Sequence, residues 1–257
     1  MRHSLKLLAA SAAFALAGLV ASNAAAAVTI VPFSDDATSG ISASNTYTHA
    51  VDYGDDNTAA TINGVPFTFY GSSSSFSVVN TEPAGTVFNA YDASNTLENG
   101  SRYGVHSTPT FGGGGVEAML RDFVYHSTTP AAGVIGTSNY QTLTLSGLTP
   151  GQTYDFRVYY RPWTANDNRT VTLSFGYGDP FAETTSINED AGAIDNNAHY
   201  ASFVYTATDS TFTLATASTI ATYNWHVYGI TNQEVVPEPA ALSLLGLSGL
   251  ALLRRRR

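Results

Sequence analysis

The chain has 257 residues, no cysteine and a formal net charge of −9. Its length allows one large domain or two small ones, and the absence of cysteine excludes disulfides, thiolate zinc sites and cysteine nucleophiles. Basic residues cluster at the two termini, so between residues 28 and 239 only five arginines oppose all 20 acidic residues. Because this leaves no basic surface to neutralise phosphates, a nucleic-acid partner is excluded.

The first 27 residues have the pattern of a secretory signal peptide. Arg2 and Lys6 form a basic start, and an uncharged apolar run extends from Leu7 to Val20. Small residues follow, with Ala25 and Ala27 placed for cleavage. A buried N-terminal helix is the alternative interpretation. The order of basic start, apolar run and small-residue exit predicts that residues 1–27 are a signal peptide and that the protein is exported.

The middle of the chain contains many short alternating runs separated by Gly, Asn, Asp, Ser and Pro, and no long amphipathic helix. This pattern predicts an all-β fold, a single jelly-roll-like β-sandwich over residues 28–234. The looser stretch from Gly71 to Gly115 is expected to form long loops. The predicted strands are Thr46–Tyr53, Val65–Tyr70, Met119–His126, Thr142–Leu145, Tyr154–Arg161, Arg169–Phe175, His199–Thr206, Thr211–Ala215 and Trp225–Ile230.

Two groups of oxygen-bearing side chains are candidates for a calcium site. Asp52, Asp55 and Asp56 lie in a glycine-containing turn, and Glu189 and Asp190 begin a second acidic cluster. Calcium takes six to eight oxygen ligands in loop geometry, but neither group has the EF-hand spacing. Acidic turns are commonly just solvated, so calcium stays an open hypothesis here. No other metal or cofactor is predicted.

The clearest predicted strand is Tyr154–Arg161. Alternate side chains on a strand face opposite sides, so the even-numbered residues form a core face and the odd-numbered residues a polar face. A turn of sequence Gly-Leu-Thr-Pro-Gly, residues 147–151, precedes this strand. With the strand before it, the turn forms either a hairpin or a corner between two sheets.

The segment that follows is the best candidate for a ligand-binding loop. It joins two predicted strands and should therefore lie at one end of the sandwich, where loops carry function. A tryptophan offers a flat apolar face to a sugar ring, while Asn, Asp and Arg can bond its hydroxyl groups. The alternative is that Trp163 packs into the core and the polar residues only form the turn. The candidate ligand-binding residues are Arg161, Trp163, Asn166, Asp167, Asn168 and Arg169.

The sequence contains no recognisable catalytic motif. It has no Gly-x-Ser-x-Gly nucleophile elbow, no His-Glu-x-x-His and no phosphate-binding loop. Its histidines are scattered singly, and a structural role is expected for His226. We therefore predict no catalytic residues and a protein that is not an enzyme. Paired carboxylates for glycoside hydrolysis are the enzymatic alternative, but their separation cannot be obtained from sequence.

The C-terminus combines three features within residues 235–257. A Pro-Glu-Pro motif is followed by an uncharged apolar run, residues 240–253, and then by four arginines. Fourteen helical residues span about 21 Å against a hydrocarbon core of about 30 Å, so the run is a short membrane helix. The terminal arginines would hold its end on the cytoplasmic side. The residues concerned are Pro237, Glu238, Pro239, Arg254, Arg255, Arg256 and Arg257.

Together these features resemble the PEP-CTERM sorting signal of exported bacterial proteins. The resemblance implies that the Pro-Glu-Pro motif is recognised by an exosortase, a membrane transpeptidase-like enzyme that processes the tail during export. The apolar run would then anchor the protein transiently in the membrane, with the arginines as the retention charge. It also implies that the protein reaches the cell surface or the extracellular matrix, with the exosortase and the secretion machinery as partners.

A second resemblance concerns the folded part. The segment Leu145 to Phe175 and the run Trp225–Ile230 are similar to other exported PEP-CTERM proteins and to galactose-binding-like jelly rolls. This resemblance implies a fold rather than an activity. The expectation is therefore an exported, non-enzymatic protein of the cell surface or extracellular matrix. The alternative is a carbohydrate-binding module acting on exopolysaccharide, with or without calcium, and a glycan-active hydrolase is a third hypothesis.

Overall fold

The computed structural model describes residues 27–54, 59–71, 84–91, 97–101, 114–126, 132–193, 197–220 and 223–236. These residues form sixteen strands and one short helix. The elements are β1 (Thr29–Phe33), β2 (Tyr47–Gly54), β3 (Thr61–Ile62), β4 (Val65–Pro66), β5 (Thr68–Gly71), β6 (Thr86–Tyr91), β7 (Leu97–Ser101), α1 (Gly115–Met119), β8 (Asp122–His126), β9 (Tyr140–Ser146), β10 (Thr153–Tyr160), β11 (Thr170–Phe175), β12 (Glu183–Asn188), β13 (Ala198–Thr206), β14 (Thr211–Ser218), β15 (His226–Val227) and β16 (Gly229–Glu234).

Two large sheets build the fold. A six-stranded sheet has the order β1-β13-β10-β16-β2-β5, and a five-stranded sheet has the order β12-β11-β14-β9-β6. Neighbouring strands are antiparallel, except for the parallel pair β2 and β5. The chain crosses repeatedly between the two sheets from β9 to β16. The predicted all-β, jelly-roll-like sandwich is therefore confirmed.

The core lies between the two sheets and is rich in aromatic rings. Phe156 of the six-stranded sheet packs against Phe212 of the five-stranded sheet, with ring centroids 4.9 Å apart. Phe203 lies 5.3 Å from Phe175 across the same interface. All four rings are at most 1% exposed. Burying a phenylalanine is worth about 1.5–3 kcal/mol relative to leaving it in water, so this cluster is a main source of stability.

The turn at residues 147–151 makes a corner between the sheets. It joins β9 of the five-stranded sheet to β10 of the six-stranded sheet, and these two strands do not pair with each other. Gly147 and Gly151 have φ angles of 82° and 84°, which only glycine adopts without strain. Of the two predicted alternatives, hairpin or corner, the structure shows the corner.

The outer face of the six-stranded sheet is covered by another part of the chain. The face of β10 that was predicted to be polar is therefore packed. Residues 34–46, here called the strap, cross this face after β1. Arg157 donates a hydrogen bond to the Gly40 carbonyl, and the Tyr159 hydroxyl donates to the Ser39 carbonyl at 3.3 Å. Tyr159 is completely buried. The core face was predicted correctly, but both faces of β10 are packed because the strap lies over the second one.

Several elements differ from the predicted ones. The stretch from Gly71 to Gly115 contains β6 and β7, although its composition predicted only loops. Their strand form comes from pairing with distant partners, since β6 pairs with β9 and β7 with β8. The predicted strand Met119–His126 is divided, because Met119 ends helix α1 and β8 starts at Asp122. Edge strands β1 and β12 were not predicted either.

Helix α1 begins where the strap reaches it. The Asp36 carboxylate accepts hydrogen bonds from the backbone N–H groups of Gly115 at 3.1 Å and Val116 at 2.8 Å. A carboxylate at a helix start satisfies donors that have no partner within the helix. The strap and the helix therefore hold each other in place.

The two terminal signals fall outside the described residues. This applies to Ala25, to the Pro-Glu-Pro motif and to the expected helix 240–253, while Ala27 is the first described residue and is exposed. In the part of the chain that the structure describes, no helix is long and apolar enough to cross a membrane. The signal peptide and the sorting signal stay predictions.

Replacing Gly40 by alanine should destabilise the protein through the strap. Gly40 has a φ of 72°, and a Cβ there would lie 2.4 Å from Arg157 Nη1 and 2.9 Å from the Tyr200 hydroxyl. Backbone strain of about 1 kcal/mol and displacement of the strap should together lower the free energy of unfolding by about 3 kcal/mol. Urea denaturation measures this loss. Gly147→Ala is the matched control, because its φ is 82° but no atom lies within 4 Å. Equal losses in the two variants would contradict a packed strap.

Candidate functional site

Loops from three parts of the chain meet at one end of the sandwich, here called the loop end. They are residues 161–169 between β10 and β11, residues 189–193 after β12, and residues 219–220 and 223–225 after β14. The Tyr223 hydroxyl donates to Asp167 Oδ2 at 2.7 Å, and the Asn166 N–H donates to the Gly192 carbonyl at 2.8 Å. The structure thus places the predicted ligand-binding loop at an end of the sandwich, in contact with two further loops.

A buried cluster of charged groups lies beneath these loops. Arg169 Nε is 3.0 Å from Asp190 Oδ2 and 3.9 Å from Glu189 Oε2. His226 Nδ1 is 3.1 Å from Glu189 Oε1. All four residues are at most 6% exposed. Burial and the nearby negative charge of Glu189 raise the pKa of Tyr160. Buried charges are tolerated only when paired and hydrogen-bonded, and this cluster meets that condition.

Asp190 connects the cluster to the backbone of the 161–169 loop. Its Oδ1 accepts hydrogen bonds from the backbone N–H groups of Trp163 at 2.7 Å and Thr164 at 3.1 Å. Arg169 also reaches the other side of the loop end, where its Nη1 donates to the Asn224 carbonyl at 2.8 Å. These bonds fix the 161–169 loop and the neighbouring residues 223–225 in one arrangement.

Trp163 is half-buried and packs on an aromatic cluster. Its ring centroid is 5.4 Å from that of Phe123 and 5.3 Å from that of His226. His226 therefore has the structural role expected for it. Trp163 belongs to the packed side of the loop, as the alternative interpretation proposed, and does not offer both ring faces to solvent.

The two arginines of the predicted ligand loop point inward. Arg161 is fully buried, with its guanidinium carbon 5.8 Å from the Tyr228 ring centroid, and Arg169 is 4% exposed. This corrects the expectation that they bond sugar hydroxyls directly, because a buried guanidinium engaged within the protein does not reach a ligand in solvent. The exposed residues of the loop are Ala165, Asn166 and Asn168.

Asp167 is half-buried at the rim of the loop end. Hydrogen bonds from the Tyr223 hydroxyl and from the backbone N–H of Asn168 lower the pKa of its carboxyl group. Arg169 lies over the ring of Tyr223, with its guanidinium carbon 4.6 Å from the ring centroid. Tyr223 is therefore held between a carboxylate and a guanidinium, with its ring orientation fixed.

A small concavity, partly open to solvent and with space for about one water-sized group, lies beside Tyr223. Its floor comes from inward-facing residues of β9 and β14, and its rim from the loops. Lining residues include Asn139, Gln141, Thr216, Tyr223, Asn224 and Trp225. Trp225 packs on Tyr160 of the six-stranded sheet at 5.5 Å, so the concavity opens between the two sheets.

Two nitrogen groups in this lining have no hydrogen-bond acceptor in the part of the chain that the structure describes. Gln141 and Trp225 are each 2% exposed. Gln141 Oε1 accepts a hydrogen bond from Thr216 Oγ1 at 3.2 Å. Gln141 Nε2 and Trp225 Nε1 find no hydrogen-bond partner among the described residues. An unsatisfied buried donor costs about 1–3 kcal/mol, so this pair is unusual for a folded protein.

The concavity was not predicted from the sequence. One signal was present, because Gln141 precedes Leu143 and Leu145 at the same alternating positions of a strand. A polar residue on a core face is informative in itself. Tyr223, Asn224 and Trp225 carry no such local signal, since their position depends on Arg169 and Asp167.

The structure gives no support to the calcium hypothesis. Among the described residues, no three His, Asp or Glu side chains are grouped closely enough to hold a metal ion. Asp52 is buried, and its Oδ2 accepts the backbone N–H of Ala60 at 2.7 Å. Asp55 and Asp56 lie outside the described residues. Glu189 and Asp190 of the second group are engaged with Arg169 and His226, as described above.

No protein-family profile matches the chain, and no curated protein matches it. Among solved structures, the ANXUR1 extracellular domain from Arabidopsis thaliana matches at 8% identity and a TM-score of 0.38 over 82% of this chain and 50% of that one. The CBM22-1 xylan-binding domain from Paenibacillus barcinonensis matches at 9% identity and a TM-score of 0.32 over 65% of this chain and 90% of that one.

A structure of carbohydrate-binding modules from the β-sandwich superfamily matches at 12% identity and a TM-score of 0.28, over 65% of this chain and 63% of that one. The chain spans about half the length of the ANXUR1 extracellular domain. These similarities are distant, and the fold of the chain is established by the strands and sheets described above.

Replacing Asp190 by asparagine should destabilise the loop end. The change removes the buried charge that pairs with Arg169, and breaking such a pair costs about 3 kcal/mol. Urea unfolding measures this loss. Asp179→Asn is the control, because the Asp179 carboxylate accepts one long hydrogen bond, from the Thr208 hydroxyl at 3.4 Å. This change should alter stability by a few tenths of a kcal/mol. Similar stabilities for the two variants would mean that the buried pair does not hold the loops.

Proposed function

We propose that residues 28–234 form a non-catalytic domain that binds carbohydrate at the loop end. The observation that carries this proposal is the concavity beside Tyr223, with two buried N–H donors in its lining and aromatic rings at its rim. Sites for small ligands commonly combine apolar or aromatic walls with a few well-placed polar groups. Sugars suit such a surface because their rings have apolar faces and their substituents carry hydrogen-bonding oxygens.

The carboxylates at the loop end support a binding role rather than hydrolysis. Glycoside hydrolases need two carboxyl groups on either side of the scissile bond, one of them a general acid with a raised pKa. Glu189 and Asp190 are buried and engaged with His226 and Arg169. Asp167 has a lowered pKa, which does not suit a general acid. We therefore keep the hydrolase only as the alternative that turnover measurements would reveal.

We further propose that the domain is exported and sorted through its C-terminal tail. This part of the proposal rests on the signal-like residues 1–27 and on the PEP-CTERM-like residues 235–257. The protein would then act at the cell surface or in the extracellular matrix, where exopolysaccharide is the carbohydrate at hand. An exosortase, the secretion machinery and, during sorting, the membrane would be its partners.

The tyrosine at the rim should contribute to carbohydrate affinity. A glycan array of neutral, N-acetylated and uronic-acid oligosaccharides would identify binders, and calorimetry would give affinities. We expect Tyr223→Ala to weaken binding at least about tenfold, which corresponds to about 1.4 kcal/mol. Tyr177→Ala is the matched control, because Tyr177 is exposed and does not line the concavity. Binding to no glycan, or unchanged binding by Tyr223→Ala, would reject the site.

Export predicts a defined change in mass. The protein recovered from outside the native cells should lack residues 1–27 and the apolar tail, as intact mass spectrometry would show. Replacing Pro237, Glu238 and Pro239 by alanine should leave the tail attached and keep the protein in the membrane fraction. A chain of full mass in the cytosol would contradict both the signal peptide and the sorting signal.

A further inference from the structure

The two unpaired donors at the loop end restrict the chemistry of a ligand. An indole N–H can only donate, and the Gln141 amide nitrogen likewise donates while its oxygen accepts from Thr216. Both groups are almost completely buried, so bulk water does not satisfy them. A ligand atom that satisfies either group must therefore be a hydrogen-bond acceptor. A cation is excluded at this position, because the partly positive hydrogens of the N–H groups would repel it.

The surroundings favour a neutral acceptor. Asp167 bonds the rim residue Tyr223, and Arg169 is the cation nearest to that ring, already paired with Asp190. The guanidinium that lies against the rim is therefore already paired within the protein, and the chain itself is acidic. A hydroxyl group would bring an additional O–H that needs its own acceptor. A carbonyl oxygen accepts two hydrogen bonds and brings no donor at the same atom.

The size of the space points the same way. The concavity has space for about one water-sized group, so it admits a small substituent and not a whole sugar ring. Ala217, which is 3% exposed, adds an apolar patch to the lining. An acetyl group matches this lining, because its carbonyl oxygen would accept from the N–H groups and its methyl group would contact Ala217. The ring that carries it would then rest on the rim, next to Tyr223.

We propose that this concavity binds the carbonyl oxygen of an acetyl group carried by a sugar, with Gln141 Nε2 and Trp225 Nε1 as its two hydrogen-bond donors. The inference rests on the proposed carbohydrate-binding function and makes it specific. It names N-acetylated or O-acetylated sugars as the ligand class. Their de-acetylated counterparts should bind more weakly, because the donors would then stay unsatisfied.

The test uses the indole N–H signals in ¹H–¹⁵N NMR spectra of the purified protein. The chain has only two tryptophans, so Trp225→Phe assigns both signals. Titration with an N-acetylglucosamine trisaccharide, and separately with an O-acetylated xylo-oligosaccharide, should shift the Trp225 signal saturably, and the two arms distinguish the acetyl sources. The corresponding de-acetylated sugars should shift it at least tenfold less at equal concentration.

Variants separate the proposed contact from general effects on the fold. Gln141→Met keeps the side-chain length but removes the amide, and should weaken binding of the acetylated sugar about tenfold. Gln152→Met is the matched control, because the Gln152 side chain donates to the Thr153 carbonyl and does not line the concavity. Urea unfolding of both variants would confirm that they fold.

The outcomes distinguish the two proposals. If glycans bind in a Tyr223-dependent way but acetylated and de-acetylated forms bind equally, the acetyl inference is wrong and the carbohydrate function stands. If the Trp225 signal stays unshifted with every sugar and shows a nuclear Overhauser contact to a long-lived water, the donors hold an ordered water only, and the inference is overturned. If no glycan binds, both proposals fail.

Discussion

The loop end depends on the buried ion pair between Arg169 and Asp190. Removing two charges from water costs several kcal/mol per ion, and the pair is tolerated because each group has several hydrogen bonds. Asp190 accepts from two backbone N–H groups in addition to Arg169, and Arg169 also donates to the Asn224 carbonyl. The pair thereby joins three loops that are distant in sequence. The position of Tyr223 and Trp225, and with it the concavity, follows from this arrangement.

This ion pair also explains why the proposed ligand site lies beside the residues that the sequence favoured and not on them. The Arg161 to Arg169 segment contains the right residue types for sugar binding, but its arginines face inward and Trp163 packs on Phe123 and His226. The segment therefore acts as a support. The surface that it holds in place belongs to its neighbours, in particular Tyr223, which bonds Asp167 and lies against Arg169.

What the sequence could predict was local in origin. The alternation of Tyr154, Phe156 and Val158 fixes a core face through strand geometry alone, and the glycines of the 147–151 turn mark a reversal of the chain. The covered outer face could not be predicted, because the contact between Arg157 and Gly40 joins residues 117 positions apart. Strands β6 and β7 likewise owe their form to distant partners. The concavity required both kinds of long-range contact, so only Gln141 gave a local signal for it.

The construction of the concavity has a consequence for the kind of binding it supports. Gln141 and Thr216 lie opposite each other on the paired strands β9 and β14, so the floor is part of a rigid sheet. A preorganised donor costs little entropy on binding, which favours specificity for one group. The contact is small, however, so a single acetylated sugar would bind with modest affinity. Firm attachment would then come from many copies of the domain on one acetylated polymer, since linked binding sites multiply weak affinities without any new contact. A protein displayed densely at a cell surface or within a polysaccharide matrix would present many such copies. The weak binding expected of a single site is therefore consistent with the proposed export.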